Sequence, residues 1–303
     1  MKSDDVSVSG AAAPDFAAVR EAFVRNFSEG EELGAAFCVV ADGAVQADLV
    51  GGHKDRQKQT PWTDDTIACV YSSGKAVTAL LIARAVSRGE LAYDDPVARY
   101  WPEFGAAGKE EITIAQALSH QAGLCGFPDE INPAEWLDWR AITDRLAAMA
   151  PLWKPGTQSG YHPQTVGFIA GELLRRATGN CVGEILASDF SAQSVFCGIK
   201  DGAIAARAAY MPKPPKAPDL GELNEATRIA FLKPWSSPAK VSREDWMAAE
   251  LPASNMHATA RALAEFVYPF ANDGADLTGA TVLSGEAIEG ALSERICGPD
   301  LVL

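Results

Sequence analysis

Apolar residues recur every three or four positions in several segments of the chain, and this spacing predicts amphipathic helices. In the first of these segments, residues 13–28, the apolar side chains of Phe16, Val19, Phe23 and Phe27 fall on one face. The same spacing predicts further helices at residues 113–120, 134–150, 164–179, 257–273 and 284–295.

A different pattern begins after Tyr71. The stretch SSGKAVTALLIARAVSRG is apolar over most of its circumference and stops at Gly89. A helix that is apolar on all sides is typical of a protein interior, so a buried helix is predicted here.

Two short apolar runs flank the pair Asp42-Gly43 in the segment GAAFCVVADGAVQADLVGG. Asp-Gly is favoured in tight hairpin turns, where both residues need positive φ angles, so the segment is predicted to be a β-hairpin. A two-stranded hairpin is not stable by itself in water. The hairpin is therefore expected either to pack wholly on helices or to pair with further strands.

Proline dominates the segment MPKPPKAPDLG at residues 211–221. Because proline lacks a backbone N–H and fixes φ, this segment is predicted to be an exposed, extended loop. The loop is a candidate for one wall of an active-site cleft.

The composition limits the classes of function. With 303 residues, 48% of them hydrophobic, the chain can form one large domain or two interleaved ones. A formal net charge of −14 repels phosphate backbones, so nucleic acid is not an expected partner. There is no apolar run long enough to span a membrane, and the N-terminus lacks the apolar core of a signal peptide. We therefore expect a cytoplasmic protein.

Cysteine and histidine give no sign of a metal or cofactor site. The six cysteines are scattered without a C-x-x-C pair and are expected to be reduced core thiols. The four histidines never pair at metal-ligand spacing, so neither a metal nor a cofactor is expected. The sequence also lacks the G-x-S-x-G motif and the glycine-rich patterns that bind nucleotides.

A candidate for nucleophilic chemistry lies at the start of the predicted buried helix, where Ser72-Ser73-Gly74-Lys75 fits the pattern S-x-x-K. Residues three apart share a helix face, so the amine of Lys75 can reach the hydroxyl of Ser72. A lysine withdrawn from water has a lowered pKa and can act as the base that a serine nucleophile needs. The N–H groups of the helix N-terminus can also stabilise an oxyanion.

The pattern is not specific by itself. Ser237-Pro238-Ala239-Lys240 also matches it, in a proline-containing loop where no helix fixes the spacing. The alternative for Ser72 is a helix N-cap, with Lys75 as a solvated residue of the first turn.

The surrounding motifs decide between these interpretations. The sequence resembles the class C serine β-lactamases, the DD-peptidases and the carboxylesterases of family VIII. Five motifs carry the resemblance in the family's order: VYSSGKAVTALLI, GELAYDDPVARYWPEF (89–104), ALSHQAGL (117–124), WKPGTQSGYHP (153–163) and LPASNMHATARALAEF (251–266).

The resemblance implies a role for each matching residue. Ser72 would be the acylated nucleophile, and its backbone N–H one half of the oxyanion hole. Lys75 would be its general base. Tyr161 would lie opposite and relay a proton to the leaving group or activate the deacylating water. The alternative for Tyr161 is an ordinary tyrosine in a surface turn.

The sequence departs from the family at two points. Pro163 replaces the Asn or Ser of the family's Y-x-N or Y-S-x motif, which favours esters over β-lactams because proline has no side-chain amide. No equivalent of the K-T-G motif, which lies on a later strand, is found. Three explanations are open: truncation of the chain, completion by another polypeptide or subunit, or loss of catalysis.

Other candidates near the site have weaker support. Cys125 is close in sequence to His120 and suggests a thiol enzyme, but inert packing is the simpler reading. His120 is predicted to be structural, holding a turn near the cleft. Trp136, Trp139 and Trp153 either line an acyl pocket or belong to the core.

The resemblance implies an α/β (α+β) fold, with an antiparallel sheet flanked by helices and an all-helical insert domain. The family's C-terminal strands would be missing. Residues 1–65 and 251–303 would form the α/β part with its incomplete sheet. Residues 66–250 would form the mainly helical part that carries Ser72, Lys75 and Tyr161.

The implied function is that of a serine hydrolase. We expect a carboxylesterase that acts on short-chain acyl esters through an acyl-Ser72 intermediate, with weak β-lactam hydrolysis as a side activity. The alternative is a catalytically impaired scaffold or binding protein. The expected partner is a small-molecule ester, and a homo-oligomer or a completing chain is compatible with the sequence.

Overall fold

The computed structural model describes residues 7–212, 216 and 219–303. The predicted loop at 211–221 therefore lies partly outside the described residues. The helices of the described part are α1 (Ala17–Ser28), α2 (Gly74–Ser87), α3 (Val97–Tyr100), α4 (Ile114–Leu118), α5 (Trp139–Ala148), α6 (Thr165–Thr178), α7 (Val182–Asp189), α8 (Gly202–Ala205), α9 (Glu225–Thr227), α10 (Arg243–Ala248), α11 (Ala260–Val267) and α12 (Gly285–Leu292).

Shorter helical turns connect these elements. They are 3-10 helices at Pro14–Phe16, Tyr71–Ser73, Pro102–Gly105, Pro133–Leu137 and Tyr268–Ala271, and a π-helix at Arg228–Leu232. Across residues 7–212, 216 and 219–303, no helix combines the length and the apolar character needed to cross a bilayer.

Within the described residues, six strands form two antiparallel sheets, each of three strands. The first sheet has the order β1-β3-β2 and the second has the order β4-β6-β5. The strands are β1 (Val8–Ala12), β2 (Gly34–Ala41), β3 (Ala44–Gly52), β4 (Ala68–Cys69), β5 (Val195–Phe196) and β6 (His257–Ala258).

The predicted hairpin is confirmed as β2 and β3. Its turn places Asp42 at φ 51° and Gly43 at φ 74°, the two positive angles that the Asp-Gly pair was expected to supply. The hairpin is not alone, because β1 pairs with the outer edge of β3. β2 pairs with β3 along one edge, and helix α11 packs against β2. In the ranges described, no strand pairs with the other edge of β2.

Most of the helices predicted from apolar spacing are present, but two have different bounds. The segment 134–150 is divided at Asp138, whose carboxylate accepts the N–H of Ala141 and begins α5. The prediction for 257–273 was wrong at its start, because His257–Ala258 form strand β6. Thr259 then caps α11 by accepting the N–H of Ala262, which explains the delayed helix start.

The core lies between α2 and α6. Helix α2 is buried around most of its surface, as predicted, with Val77, Leu80 and Ile82 inaccessible to solvent. Its N-terminus is close to the segment at 252–256. A Cβ on Gly74 would lie 3.0 Å from the carbonyl oxygen of Pro252. The start of α2, where the S-x-x-K motif lies, is therefore fixed by direct backbone packing.

A buried carboxylate ties α5 to α6. Glu172 is 2% exposed and accepts hydrogen bonds from Trp139 Nε1 (2.9 Å), Arg175 Nη2 (2.6 Å) and Arg176 Nε (2.7 Å). Burial by itself raises the pKa of Glu172, but the hydrogen bonds from these three side chains outweigh burial and lower the pKa below its ordinary value of 4.5.

We predict that Glu172→Gln lowers the free energy of unfolding by about 1–3 kcal/mol, because the two arginines lose their buried counter-charge. A group whose pKa is lowered by folding stabilises the fold above its unfolded pKa, and this contribution is lost as the pH falls through the folded pKa. Urea unfolding should therefore show a difference between wild type and variant at pH 7 that shrinks below the ordinary pKa of 4.5.

The control is Glu103→Gln. Glu103 pairs with Arg176 at 2.9 Å, but its side chain is 65% exposed. An exposed pair contributes little, so this variant should stay within about 1 kcal/mol of wild type. Equal losses in the two variants would contradict the account of Glu172.

Candidate active site

The S-x-x-K motif begins on a strained turn. Tyr71 has φ 44°, in the left-handed region that non-glycine residues rarely adopt. It opens the 3-10 helix Tyr71–Ser73, which runs directly into α2. The turn leaves Ser72 exposed at the helix N-terminus. Such local strain is frequent at functional sites.

Lys75 is held by three partners. Its Nζ donates to the carbonyl oxygens of Pro163 (2.9 Å) and Ala253 (3.0 Å) and lies 3.1 Å from Ser72 Oγ. The carbonyls can only accept, so they fix two N–H groups. The remaining direction on the nitrogen faces Ser72, and in the neutral amine it carries the lone pair. The alternative of a solvated first-turn lysine is wrong.

The surroundings of Lys75 favour its neutral amine more than water does. Burial lowers the pKa of Lys75 below its ordinary value of 10.5, while the hydroxyl of Tyr161 acts in the opposite direction. No carboxylate pairs with Lys75 among the ion pairs of the described ranges. Desolvation without a counter-ion is what makes a lysine usable as a base.

Tyr161 reaches the same hydroxyl from a distant part of the chain. Its Oη donates to Ser72 Oγ at 2.8 Å, across 89 positions of sequence, and its ring centroid lies 4.9 Å from Lys75 Nζ. The alternative of a tyrosine in a surface turn is wrong, because the residue is half-buried at this contact. All three residues singled out in the sequence thus meet at one oxygen atom.

Two rings enclose the phenol of Tyr161. His120 meets it edge-on with ring centroids 4.9 Å apart, and Phe231 stacks on it at 6.2 Å. Phe231 lies on the π-helix Arg228–Leu232, an uncommon conformation that occurs frequently at functional sites. Phe231 was not predicted from the sequence, because apolar spacing offers no signal for a single π-helical turn.

His120 and His162 hold the turn beneath Tyr161. His162 donates from Nδ1 to the Gly160 carbonyl (2.5 Å) and accepts the Leu124 N–H at Nε2 (2.8 Å). His120 accepts the N–H of His162 at Nδ1 (3.1 Å). Burial lowers the pKa of His162 to about 3 and that of His120 to about 4, so both rings are neutral at pH 7. The structural role predicted for His120 fits this geometry.

The tryptophans lie at different places. Trp136 is 1% exposed and Trp139 donates to Glu172, so both belong to the core and the acyl-pocket alternative is wrong for them. Trp153 does lie beside the site, where its ring meets His162 at 5.8 Å. Cys125 is buried, which raises the pKa of its thiol to about 12, so it is not a thiolate nucleophile.

The second S-x-x-K match does not form a comparable site. Ser237 and Lys240 are both exposed and lie outside any helix. Lys240 has φ 58°, which turns the chain away from helical spacing. The sequence pattern therefore has a helical context only at Ser72.

The chain is similar to a known protein family and to a named relative. The family model described as Beta-lactamase matches residues 20–294. The esterase/beta-lactamase LipL of Mycobacterium tuberculosis is 33% identical over 302 residues, which cover 95% of this chain and 70% of LipL.

Two solved structures are also similar. The crystal structure of a penicillin-binding protein homologue from Caulobacter crescentus superposes with a TM-score of 0.94 and 46% identity, over 98% of this chain and 80% of that chain. The crystal structure of a family VIII carboxylesterase gives a TM-score of 0.84 and 34% identity, over 93% of this chain and 76% of that chain. The chain therefore belongs to the beta-lactamase family and is an enzyme of the serine hydrolase class.

Proposed function

We propose that the protein is a carboxylesterase that hydrolyses short-chain acyl esters through an acyl-Ser72 intermediate. The observation that carries the proposal is the position of Ser72 Oγ, 3.1 Å from Lys75 Nζ and 2.8 Å from Tyr161 Oη. A hydroxyl between a desolvated amine and a phenol can lose its proton to one and share a proton with the other.

Acylation uses all three groups. Ser72 Oγ attacks the ester carbonyl carbon while its proton passes to the neutral amine of Lys75. The tetrahedral intermediate then collapses and the bond to the alkoxy group breaks. The departing alkoxide takes a proton from Tyr161, and the phenolate regains one from the Lys75 ammonium, which returns the amine to its neutral state.

Deacylation reverses the path with water in place of the alcohol. Tyr161 takes a proton from a water molecule that attacks the acyl carbon, while its own phenol proton passes to the neutral amine of Lys75. The bond between the acyl carbon and Ser72 Oγ then breaks, and Oγ takes a proton from the Lys75 ammonium. The acid leaves and the three residues are restored to their starting protonation states.

The oxyanion would meet the backbone N–H of Ser72. Ser72 is the second residue of the 3-10 helix Tyr71–Ser73, and the first N–H groups of a helix have no acceptor within the helix. The positive end of α2 adds to this stabilisation.

Pro163 supports esters rather than β-lactams as preferred substrates. The residue has no side-chain amide to hold the acyl amide of a β-lactam, and its carbonyl is already bound to Lys75. Apolar side chains also lie near Ser72: its chain neighbour Tyr71 is exposed, and Phe231 stacks on the ring of Tyr161. The similar family VIII carboxylesterase is named for ester hydrolysis, and LipL is named as both an esterase and a beta-lactamase.

A fluorophosphonate probe tests the nucleophile. We predict that wild type is labelled at Ser72 and hydrolyses p-nitrophenyl butyrate, and that Ser72→Ala abolishes both. Ser237→Ala, the matched change in the second S-x-x-K copy, should leave both unchanged. A folded wild-type protein that shows neither labelling nor hydrolysis would instead favour the non-catalytic scaffold.

Replacing Lys75 tests the base. Because burial lowers the pKa of Lys75, the acylation rate should rise with pH and level off below the ordinary pKa of 10.5. Lys75→Arg keeps a cation that does not deprotonate and should lower the acylation rate by about 10²–10⁴. Lys240→Arg is the matched control. Stopped-flow measurement of the p-nitrophenolate burst gives the rates, and full activity of Lys75→Arg would contradict the assignment.

Phe231→Ala tests whether the ring of Phe231 contacts the acyl chain of the substrate. Each buried methylene contributes about 0.8 kcal/mol, so the two extra methylenes of butyrate over acetate gain from this ring. The butyrate-to-acetate ratio of kcat/KM should fall by about three- to ten-fold in the variant. Phe190→Ala, a half-buried phenylalanine packed on Phe266, is the control and should keep the ratio. An unchanged ratio in Phe231→Ala would show that the acyl chain binds elsewhere.

A further inference from the structure

We infer that Asp300 is a positioning residue for Tyr161, so that the segment 300–303 belongs to the active site although none of its side chains contacts the reacting atoms. The inference rests on the proposed function, in which the phenol of Tyr161 protonates the leaving group. Its basis is the set of contacts that determine where the backbone of Tyr161 lies.

Tyr161 is not placed by regular secondary structure. It follows the turn at Pro155-Gly156, and α6 begins only at Thr165. Its backbone N–H has no helical or strand partner and donates instead to Asp300 Oδ1 at 3.1 Å. The same oxygen accepts the N–H groups of Val302 (2.8 Å) and Leu303 (3.1 Å). One carboxylate oxygen therefore joins Tyr161 to the segment 300–303.

The segment is fixed in turn by its own partners. The N–H of Leu301 donates to the carbonyl of Ser159 at 2.9 Å, two residues before Tyr161. The carbonyl of Leu301 accepts Asn224 Nδ2 at 2.8 Å. Segment 300–303 thus bridges the chain on which Tyr161 lies and the residue that caps α9.

Apolar packing supports the same arrangement. Val302 is 1% exposed and forms a small cluster with Ile229 and Ala230, against which Tyr161 and Phe231 pack. The backbone next to Val302 is also closely packed. A Cβ on Gly160 would lie 3.2 Å from the Cβ of Leu301. A shift of the segment would therefore be transmitted to the ring of Tyr161.

The backbone N–H groups of three consecutive residues, 160 to 162, are each held by a defined acceptor. Gly160 donates to the carbonyl of His120 (3.0 Å), Tyr161 to Asp300, and His162 to the ring of His120 (3.1 Å). His120 therefore holds both neighbours of Tyr161, and Asp300 holds Tyr161 itself. Misplacement of a reacting group by about 1 Å costs about 10² in rate, so loss of the central contact should affect proton transfer.

The test compares Asp300→Ala with Asp300→Asn on two esters of the same acid. Asparagine keeps a side-chain oxygen that accepts N–H groups, and alanine has none. Ethyl butyrate expels a strongly basic alkoxide that needs a proton from Tyr161, whereas p-nitrophenyl butyrate expels a stable phenolate that does not. Tyr161→Phe provides the reference pattern, and Ser72→Ala the background.

We expect Asp300→Ala to lower kcat/KM for ethyl butyrate by about 10–100-fold and for p-nitrophenyl butyrate by less than about 5-fold, as in Tyr161→Phe. Asp300→Asn should restore most of the loss. Fluorophosphonate labelling of Ser72 should stay within about three-fold, because Ser72 on the 3-10 helix Tyr71–Ser73 and Lys75 on α2 remain in place.

The matched control is Asp276→Ala. Asp276 Oδ1 accepts the N–H groups of Thr278 (2.8 Å) and Ala280 (3.0 Å), as Asp300 does in its own turn, without contact to Ser72, Lys75 or Tyr161. This variant should keep the activity on both esters. Equal loss of both esters and of labelling in Asp300→Ala, or no loss at all, would overturn the inference. If wild type hydrolyses neither ester faster than Ser72→Ala, the proposed function itself is wrong and the inference falls with it.

Discussion

The active site depends on one desolvated amine. Lys75 is held by two carbonyl oxygens, of Pro163 and Ala253, which come from segments far apart in the sequence. Because these carbonyls occupy two of the directions around the nitrogen, the third is left for Ser72. Burial lowers the pKa of the amine, and within the part of the chain that the structure describes no carboxylate pairs with it. Because of this arrangement, the amine of Lys75 can act as the base that Ser72 needs as a nucleophile.

The fold serves to bring three chain segments to this nitrogen. The 3-10 helix Tyr71–Ser73 and the start of α2 supply Ser72 and Lys75. The turn before α6 supplies Tyr161, and the segment before β6 supplies the carbonyl of Ala253. Close backbone packing holds them, since a Cβ on Gly167 of α6 would lie 2.5 Å from the amide nitrogen of Ala253. The core between α2 and α6 therefore has a functional consequence as well as a stabilising one.

The parts of the site that could be predicted are those encoded locally or by motif. Ser72 and Lys75 lie one helical turn apart, so spacing alone brought them together. Tyr161 was found through resemblance, because nothing local in the sequence reports a contact across 89 positions. Phe231 and Asp300 were not predicted, because their contacts with Tyr161 also join distant parts of the sequence. A single π-turn has no apolar period, and a carboxylate that caps a distant backbone N–H resembles any surface aspartate. Short strands such as β1 and β6 were missed or assigned to a helix because two to five residues carry too little pattern.

The most direct measurement is the titration of Lys75 itself. Carbon-13 NMR of protein labelled at lysine Cε, with the Lys75 resonance assigned by its absence in Lys75→Arg, reports the protonation of this one amine. We expect a titration midpoint below the ordinary lysine pKa of 10.5. A midpoint at or above that value would show a solvated or ion-paired ammonium, and Ser72 would then have no base.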